Sequence, residues 1–505
     1  MGEGMRARGH RGLREQAAGA ALWMSGSRVA NQALDQAFTL VLVRLLAPGD
    51  FGLIAMAGVF TALLNVVSDM GIARAIVQRQ EVDEEYASTA FWGNLTMGVI
   101  LSGLAFVLSG PIARVYGEPK VQPIFAALAL RFLIAGTGAT QVAMLWRGLK
   151  ARALVIVNLV GITAGGATGI SLALAGAGVW ALVGQALVTV FGRSMLLWLL
   201  TSWRPVARFS WVKFKDLWGF GSRLLGARIF RYVVVQMDNL LIGRTMGHTA
   251  LGFYAFAYGM FLSPLIDLSH IIGQVSFSMF SRLQEDLPKL RHAFLTISRY
   301  MTLFALPSLV GFFLIAPDLI TLAFGAKWLP AVPVLRILLL ASLLQMHTSL
   351  WSMLFGAMGR ADWVFTWSVA AACVYVPAFV IGLRWGIAGV AAGYTVSTLV
   401  LMPFQLALVV RLTGLRLADY IRSLQPLVLA SLVMAGIVWL VQARANSLGA
   451  TSWARLGLAI PVGVVSYAVV VLAVQRDLVA DLWRTLLGLR RRPRPELAKE
   501  MGATP

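Results

Sequence analysis

The sequence predicts an all-α polytopic membrane protein, with about 14 transmembrane helices arranged as two six-helix lobes and two further C-terminal helices. Two observations predict this class. Of the 505 residues, 58% are hydrophobic and only 13% are charged, and the mean hydropathy is +0.77; such a composition is not that of a soluble globular chain. The second observation is an internal repeat, which divides most of the chain into two related halves.

The repeat has an offset of 200 residues and contains no gap. Six positions of the first copy recur in the second, namely Arg28 and Arg228, Gln36 and Gln236, Arg44 and Arg244, Gly52 and Gly252, Ala55 and Ala255, and Ala57 and Ala257. Because each predicted lobe has an even number of spans, the first helix of each lobe enters the membrane from the same side. The repeats are therefore expected to be parallel and related by an axis along the membrane normal, as in some secondary transporters.

Apolar stretches of about 20 residues, long enough to cross about 30 Å of hydrocarbon, follow one another along the chain. Those of the first lobe (residues 17–200) lie near 17–43, 51–71, 87–110, 121–145, 153–175 and 178–200. Those of the second lobe (residues 217–410) lie near 217–242, 249–275, 294–316, 331–355, 363–383 and 386–410. A basic loop and two further spans, near 425–442 and 455–474, occupy residues 411–474.

The distribution of basic residues supports this count and gives it an orientation. The chain has 43 Lys and Arg against 22 Asp and Glu, a formal net charge of +21. With both termini in the cytoplasm, most Lys and Arg fall in cytoplasmic loops and tails, as the positive-inside rule requires, and a missed span would reverse every later loop. No stretch is long and polar enough to form a basic nucleic-acid-binding domain, so we expect no nucleic-acid partner.

Three segments outside the spans are rich in basic residues. The N-terminus (residues 1–16) precedes the first apolar stretch without a small-residue cleavage site, so that stretch is expected to be retained in the cytoplasmic (inner) membrane. The linker (residues 201–216) interleaves aromatic residues with Arg and Lys and is expected to lie on the cytoplasmic lipid surface. The tail (residues 475–505) is expected to be a cytoplasmic topology anchor.

Charged residues inside the first and seventh spans are the strongest functional candidates, because charges in a membrane are costly and are rarely retained without a role. At helical spacing, Arg28 and Asp35 share one face of the first span, and Arg231 and Asp238 share one face of the seventh, with Arg228 one turn away. The stripes either form structural ion pairs between the lobes or line a cavity that binds an anionic headgroup. In the second interpretation the repeated Gln36 and Gln236 belong to the same substrate site.

Four further charged residues take weaker roles. Arg44 and Arg244 stand at the outer ends of their spans, where they either meet a departing headgroup or anchor the helix at the interface. Asp69 and Asp267 lie in the second and eighth spans and are candidate sites of ion coupling.

Small residues predict one close helix contact. The fifth span contains Gly161, Gly165 and Gly169 at four-residue spacing, and this spacing favours the close approach of a neighbouring helix.

Motifs of enzymes and metal sites are not found in the sequence. The single cysteine, Cys373, excludes an internal disulfide, and there is neither a phosphate-binding Gly-Lys-Ser/Thr loop nor a His-Glu-x-x-His motif. The acidic loop from Glu81 to Glu85 either binds a divalent ion or is a solvated loop. We expect no cofactor, no metal and no enzymatic activity.

Five segments together resemble a known family. They are Arg44-Leu-Leu-Ala-Pro-Gly-Asp-Phe-Gly-Leu-Ile-Ala-Met-Ala, Ser68-Asp-Met-Gly-Ile-Ala-Arg-Ala-Ile-Val-Gln-Arg, Ser88-Thr-Ala-Phe-Trp-Gly-Asn, Gly178-Val-Trp-Ala-Leu-Val and Asp238-Asn-Leu-Leu-Ile-Gly-Arg. From about residue 20 to 415 the chain resembles the polysaccharide-export flippases of Wzx type, near the colanic-acid exporters, in the multidrug/oligosaccharidyl-lipid/polysaccharide superfamily. Residues from about 420 to 505 carry no such resemblance.

The resemblance implies two six-helix lobes around a central cavity and a function in exopolysaccharide, O-antigen or capsule synthesis. The substrate would be an undecaprenyl-pyrophosphate-linked oligosaccharide repeat unit, which alternating access of the lobes would move across the cytoplasmic membrane. In this family, cationic residues of the first and seventh helices line the cavity, which assigns that role to Arg28, Arg228 and Arg231. The expected partners are membrane lipids, the lipid-linked substrate, a polysaccharide polymerase and a chain-length regulator, and the protein is expected to be a monomer.

Two alternatives remain open at this stage. A cation-coupled antiporter of small drugs, from the same superfamily, would bind a cation at Asp35 or Asp238. A membrane scaffold for a polysaccharide assembly complex would use the linker or the tail and would not need the cavity arginines.

Overall fold

The computed structural model describes residues 30–68, 76, 79, 82–148, 150–215, 225–262, 272–273, 276–478 and 480. For residues 225–227, 231, 261–262 and 361 only the backbone is described. All regular structure within this part of the chain is helical, which confirms the predicted all-α class.

Six long helices make up the described N-terminal part. They are α1 (30–45), α2 (Pro48–Ser68), α3 (Glu84–Tyr116), α4 (Val121–Arg147), α5 (Ala151–Leu174) and α6 (Val179–Leu200). The local sequence explains where they begin and end. Asp83 caps α3 by accepting a hydrogen bond of 2.7 Å from the Tyr86 N–H, and Gly117, with φ 67°, ends the same helix in the left-handed conformation that favours glycine.

Eight further helices of eleven or more residues follow along the described chain. They are α7 (Leu225–Val235), α8 (Met237–Ala257), α9 (Leu287–Ala323), α10 (Val332–Ala357), α11 (Ala361–Gly382), α12 (Gly386–Thr413), α13 (Leu417–Ser447) and α14 (Ser452–Val474). The predicted seventh span is divided at Gln236, whose φ of −101° and ψ of 4° lie outside the helical range. Gly247, with φ 83° and ψ 178°, interrupts α8, and a π-helical turn, Tyr258–Leu262, extends it.

Ten helices of the described chain are long and apolar enough to span a membrane, so this is a multi-pass membrane protein. The predicted number of about 14 is not confirmed by this count and stays a prediction. One of the ten, Asp362–Thr413, has 52 residues, too many for a single crossing. It is divided by the 3₁₀ turn Leu383–Trp385 and by Gly386 at φ 73°, and a Cβ on Gly389 would lie 2.1 Å from the Gly382 carbonyl oxygen. The two halves, α11 and α12, therefore fold back on each other.

The chain divides into two compact units. The first comprises Met1–Pro264, Ala323–Ile337 and Ser368–Ser397, and the second comprises Leu265–Leu322, Leu338–Trp367 and Thr398–Pro505. The predicted domains at 1–16, 17–200, 201–216, 217–410, 411–474 and 475–505 stay predictions.

Within the second unit, α9 packs against α13 and α14. One core cluster joins Leu303 of α9 to Leu427 and Ala430 of α13 and to Val471 of α14. The Tyr467 hydroxyl of α14 donates a hydrogen bond of 2.9 Å to the carbonyl oxygen of Leu303. Apolar packing thus attaches the two C-terminal helices to α9, and a partly buried hydrogen bond adds to the attachment of α14.

Within the first unit, the two repeated glycines meet. A Cβ added to Gly52 would lie 1.6 Å from the carbonyl oxygen of His248, and one added to Gly252 would lie 1.9 Å from that of Pro48. His248 is four residues before Gly252, and Pro48 is four residues before Gly52. The two contacts are therefore equivalent: exchanging the two copies of the repeat turns one contact into the other. This reciprocity is the property of a two-fold interface, and it supports the internal repeat.

We expect Gly52→Ala to destabilise the protein, because the new methyl group overlaps a backbone carbonyl that cannot move away alone. Overpacking of this kind costs about 1 to 3 kcal/mol or more. The matched control is Gly58→Ala in the same helix, where an added Cβ meets nothing within 4 Å and alanine is favoured by up to about 1 kcal/mol. Thermal unfolding of the two detergent-solubilised variants compares them, and equal melting temperatures would contradict the tight contact.

Candidate functional site

Some of the predicted site residues lie outside the described part of the chain. These are Arg28, Asp69 and Asp267, and for Arg231 only the backbone position in α7 is described. Their assigned roles therefore stay predictions.

One face of α1 lies against α5. Phe38 approaches Gly166 so closely that a Cβ on this glycine would fall 2.3 Å from the phenyl ring, and Leu42 lies 3.4 Å from the corresponding position of Gly169. Asn31 and Asp35 precede Phe38 on the same helical face. Gln36 is half-buried beside it and Asp35 is exposed. The packing of α1 thus aims Asp35 toward the α5–α6 pair.

The glycine ridge of α5 positions a cation on α6. A Cβ on Gly165 would lie 1.9 Å from Thr189 Oγ1, and one on Gly161 would lie 2.5 Å from Cγ of Arg193. The sequence prediction of a close helix contact at this ridge is confirmed. Because Gly161 has no side chain, the aliphatic part of Arg193 lies directly on the α5 backbone.

Three charged groups from α1, α4 and α6 interact electrostatically. The Arg193 guanidinium is attracted by the Asp35 carboxylate and repelled by the Arg131 guanidinium of α4. Both arginines are half-buried. The Nε of Arg193 is buried and has no hydrogen-bond partner in the structure. The cluster therefore has more positive than negative charge, together with a cationic donor that lacks an acceptor.

Arg131 and Arg193 were not singled out from the sequence, although each is a lone cation within an apolar helix. The same feature, a cation within an apolar helix, made Arg28 and Arg228 candidates for the substrate site. Arg131 and Arg193 lie outside the repeated stretch, whereas the predicted site was based on the charged residues of that stretch, in the first and seventh spans.

Asp238 occupies a separate, buried position at the start of α8. It is 6% exposed, and its carboxylate accepts hydrogen bonds from the Tyr254 hydroxyl at 2.8 Å and from the Asn239 N–H at 2.7 Å. The side-chain amide of Asn239 donates to Oε1 of Gln236 at 2.6 Å. These polar contacts lie next to the break between α7 and α8, and they satisfy Asp238 within the protein.

The remaining predicted residues lie at three places in the first unit. Arg228 is half-buried in α7. Arg244 is exposed, and its Nη1 lies 3.4 Å from where a Cβ on Gly117 would be. Arg44 is exposed at the end of α1, where the carbonyl oxygens of Arg44 and Leu46 accept hydrogen bonds of 2.8 and 2.6 Å from Lys327 Nζ. A cation at the C-terminus of a helix is favourable, so Lys327 stabilises this end of α1.

Tyr254→Phe should lower stability by about 1 to 3 kcal/mol, because it removes a donor from a buried carboxylate. The same substitution in an Asp238→Ala background should cost much less, since the acceptor is then absent. The four proteins of this cycle are compared by thermal unfolding in detergent. An equal cost in both backgrounds would show that the bond between Tyr254 and Asp238 contributes nothing.

A family model described as "Polysaccharide biosynthesis protein" matches residues 41–333. The lipopolysaccharide biosynthesis protein WzxC of Escherichia coli (strain K12) is 28% identical over 389 residues, which cover 76% of this chain and 78% of WzxC. The teichuronic acid biosynthesis protein TuaB of Bacillus subtilis (strain 168) is 28% identical over 414 residues, covering 81% and 85%. The succinoglycan biosynthesis transport protein ExoT of Rhizobium meliloti (strain 1021) is 25% identical over 333 residues, covering 66% and 67%.

Solved structures show the same fold. The lipid II flippase MurJ in an inward closed conformation has a TM-score of 0.71 at 14% identity, covering 91% of this chain and 100% of MurJ. An inward-facing multidrug resistance MATE family transporter of the MOP superfamily has a TM-score of 0.59 at 16% identity, covering 76% and 96%. The 9% of this chain left out of the MurJ match is about 45 residues, fewer than residues 420–505 contain. The shared fold therefore extends into the C-terminal segment, where sequence resemblance was lacking.

Proposed function

The chain belongs to the polysaccharide biosynthesis protein family, and from this membership we infer that it flips lipid-linked oligosaccharide repeat units across the membrane for polysaccharide synthesis. The lipid is proposed to be undecaprenyl pyrophosphate and the membrane the cytoplasmic one, with both termini of the protein in the cytoplasm. The names of WzxC, TuaB and ExoT refer to polysaccharide synthesis or transport, and that of MurJ to flipping a lipid.

The cluster of Asp35, Arg131 and Arg193 is the observation that carries the proposal. Two guanidinium groups near one carboxylate leave a surplus of positive charge within apolar helices, and the Arg193 Nε has no acceptor. Guanidinium groups bind phosphate oxygens through paired, charge-assisted hydrogen bonds. A pyrophosphate would supply both the missing acceptor and the missing negative charge.

The predicted residues Arg28, Arg228 and Arg231 extend this site in the proposal. They would offer further cations to the pyrophosphate, and Gln36 and Gln236 would offer hydrogen bonds to sugars. Asp238, whose carboxylate is already hydrogen-bonded within the protein, would contribute only negative charge. The surplus of arginine over carboxylate at Asp35 favours an anionic substrate. It therefore argues against the alternative of an antiporter of cationic drugs.

A groove in the second unit fits the apolar part of the substrate. It has a volume of about 630 Å³ and lies between α9, α13 and α14, with Phe304, Gly311, Ile315, Gly463 and Val464 among its lining residues. Its two ends are held by polar contacts, between Arg455 and Asp318 and between Arg299 and Gln475. Because an apolar groove can make close van der Waals contact with an isoprenoid chain inside the membrane, we propose that part of the polyprenyl chain occupies this groove.

The membrane potential would contribute to the transport step. Moving two negative charges outward, against an inside-negative potential, is favourable by roughly 2.3 kcal/mol per charge for each 100 mV. The protein therefore needs no covalent chemistry of its own, and we propose that it acts as a transporter and not as an enzyme. A monomer would suffice, and the delivered units would pass to a polymerase and its chain-length regulator.

Removing the charge at the cluster should slow flipping. The assay uses liposomes that contain a polyprenyl-pyrophosphate oligosaccharide labelled on its sugars, and a glycosidase added outside cleaves the substrate that has been flipped from the inner leaflet. Arg193→Gln and Arg131→Gln should each lower the initial rate of this cleavage by at least about tenfold. This magnitude follows from the roughly 1.5 to 3 kcal/mol of a hydrogen bond to a charged group. The matched control, Arg384→Gln, removes an exposed arginine from the turn between α11 and α12.

Wild-type rates in both cluster variants would remove these arginines from substrate binding. Failure of the wild-type protein to expose any substrate, with folded protein present in the liposomes, would contradict the flippase function and favour the scaffold.

Filling the groove should also slow flipping. Gly311 lines the groove, and an added Cβ there meets nothing within 4 Å, so Gly311→Leu should occupy the groove without disturbing its walls. Gly436→Leu in α13 is the control, because that site is equally open but lies outside the groove. We expect Gly311→Leu alone to reduce the flipping rate in the same assay, whereas equal rates would argue against the groove as the polyprenyl site.

A further inference from the structure

The linker is bound along the first turns of α3 by a seam of hydrogen bonds. The Val206 N–H donates to Ser88 Oγ at 3.1 Å, and the Ser210 N–H donates to Thr89 Oγ1 at 3.0 Å. The indole N–H of Trp92 donates to the Val206 carbonyl oxygen at 2.9 Å. Side chains of α3 thus replace the water that would otherwise solvate this part of the linker backbone.

An ion bridge closes the same seam. Nζ of Lys213 lies 2.6 Å from Asp83 and 2.7 Å from Glu85, so the acidic loop that could have bound a divalent ion holds an ammonium group. The hydrogen bond from Lys213 lowers the pKa of Asp83, and the two carboxylates raise the pKa of Lys213. The bridge therefore persists at neutral pH, and it weakens when acid protonates Asp83 or when base deprotonates Lys213.

With its polar groups turned toward α3, the linker presents apolar side chains outward. Phe209, Trp211 and Val212 are 46%, 60% and 79% exposed. The Trp211 ring stacks on Phe214 with centroids 5.4 Å apart, which orders the aromatic surface. Exposed basic residues, Arg208 and Lys215, flank these residues in the sequence. A loop in water would have the opposite arrangement.

The surface lies at the ends of two helices that are long and apolar enough to span a membrane. The linker begins where α6 ends at Leu200, and it is bound to α3 where that helix begins at Glu84. Both helices are among those long and apolar enough to span a membrane. Aromatic side chains are favoured at the interface between hydrocarbon and water, and each Lys or Arg near an anionic leaflet adds about 1 kcal/mol of attraction.

We propose that residues 208–215 form a binding surface for anionic lipid headgroups, with Arg208 and Lys215 contacting phosphates and the aromatic residues inserted at the level of the headgroups. The occupant is a lipid surface because the exposed groups combine positive charge with apolar rings at the end of membrane-spanning helices. This surface is distinct from the site proposed for the transported substrate, and it is tested without that substrate.

The test uses the full-length protein with Cys373→Ala, so that Val212→Cys carries the sole thiol and an environment-sensitive fluorophore. The labelled protein is placed in nanodiscs of phosphatidylcholine alone or with increasing phosphatidylglycerol. We expect phosphatidylglycerol to shift the emission to shorter wavelength and to protect the fluorophore from iodide, and high salt to reverse both effects. Arg208→Gln and Lys215→Gln should each weaken binding of phosphatidylglycerol at this surface by about fivefold, so the emission shift should require a higher phosphatidylglycerol fraction.

The control for loss of charge is Arg384→Gln, which removes an exposed arginine beside the exposed Trp385 in another part of the first unit. It should leave the lipid response unchanged. Equal iodide quenching in nanodiscs with and without phosphatidylglycerol would overturn the proposal. Protection that persists without Arg208 and Lys215 would also overturn it, and would point to a protein partner or to unspecific burial. Because Arg208 and Lys215 are exposed, their replacement leaves the seam with α3 intact.

Discussion

Close approach of helix backbones at glycine is the constraint on which the described part of the first unit depends. Lipid tails are as apolar as the helices they surround, so association inside a membrane relies on van der Waals contact, which small residues make closest. Gly52 and Gly252 join α2 to α8 in this way, and the ridge that includes Gly161 and Gly165 joins α5 to α6. The charges of the candidate site depend on these contacts, because the α5 ridge determines where the stem of Arg193 lies.

Such close packing lets a small number of charges exist inside apolar helices. Each one costs several kcal/mol unless it finds a partner, and the structure deals with two aspartates differently. Asp238 is buried and receives hydrogen bonds from Tyr254 and its own backbone neighbour. Asp35 is exposed and only partly balances the two arginines near it. The Asp238 carboxylate is thus hydrogen-bonded within the protein, whereas the cluster around Asp35 keeps a surplus of positive charge that would attract an anion.

The sequence was sufficient to predict the fold class, the repeat and the glycine contact in α5. These predictions depend only on composition and on the spacing of residues, and they do not require knowledge of which distant segments meet. It also identified Asp35 and Asp238 as unusual. It could not identify their partners, since Arg193 lies about 160 residues from Asp35 and meets it only through the packing of α1, α5 and α6. It also did not show that the segment after Gln236 starts a new helix, because no proline or glycine marks the break. The function of the acidic loop was also ambiguous, because its partner, Lys213, belongs to the linker and is distant in the sequence.

The reciprocal contact between Gly52 and Gly252 also bears on the origin of the chain. Two copies of a shorter protein that met at this glycine would have formed a homodimer in which one gene specified both sides of the interface. In that ancestor, any substitution at the glycine would have appeared twice at the axis and doubled its cost. In a single chain that contains both copies, the two positions are specified separately. Side chains farther from the axis could then diverge, so that one half acquired Asp35 with its arginines and the other the enclosed Asp238.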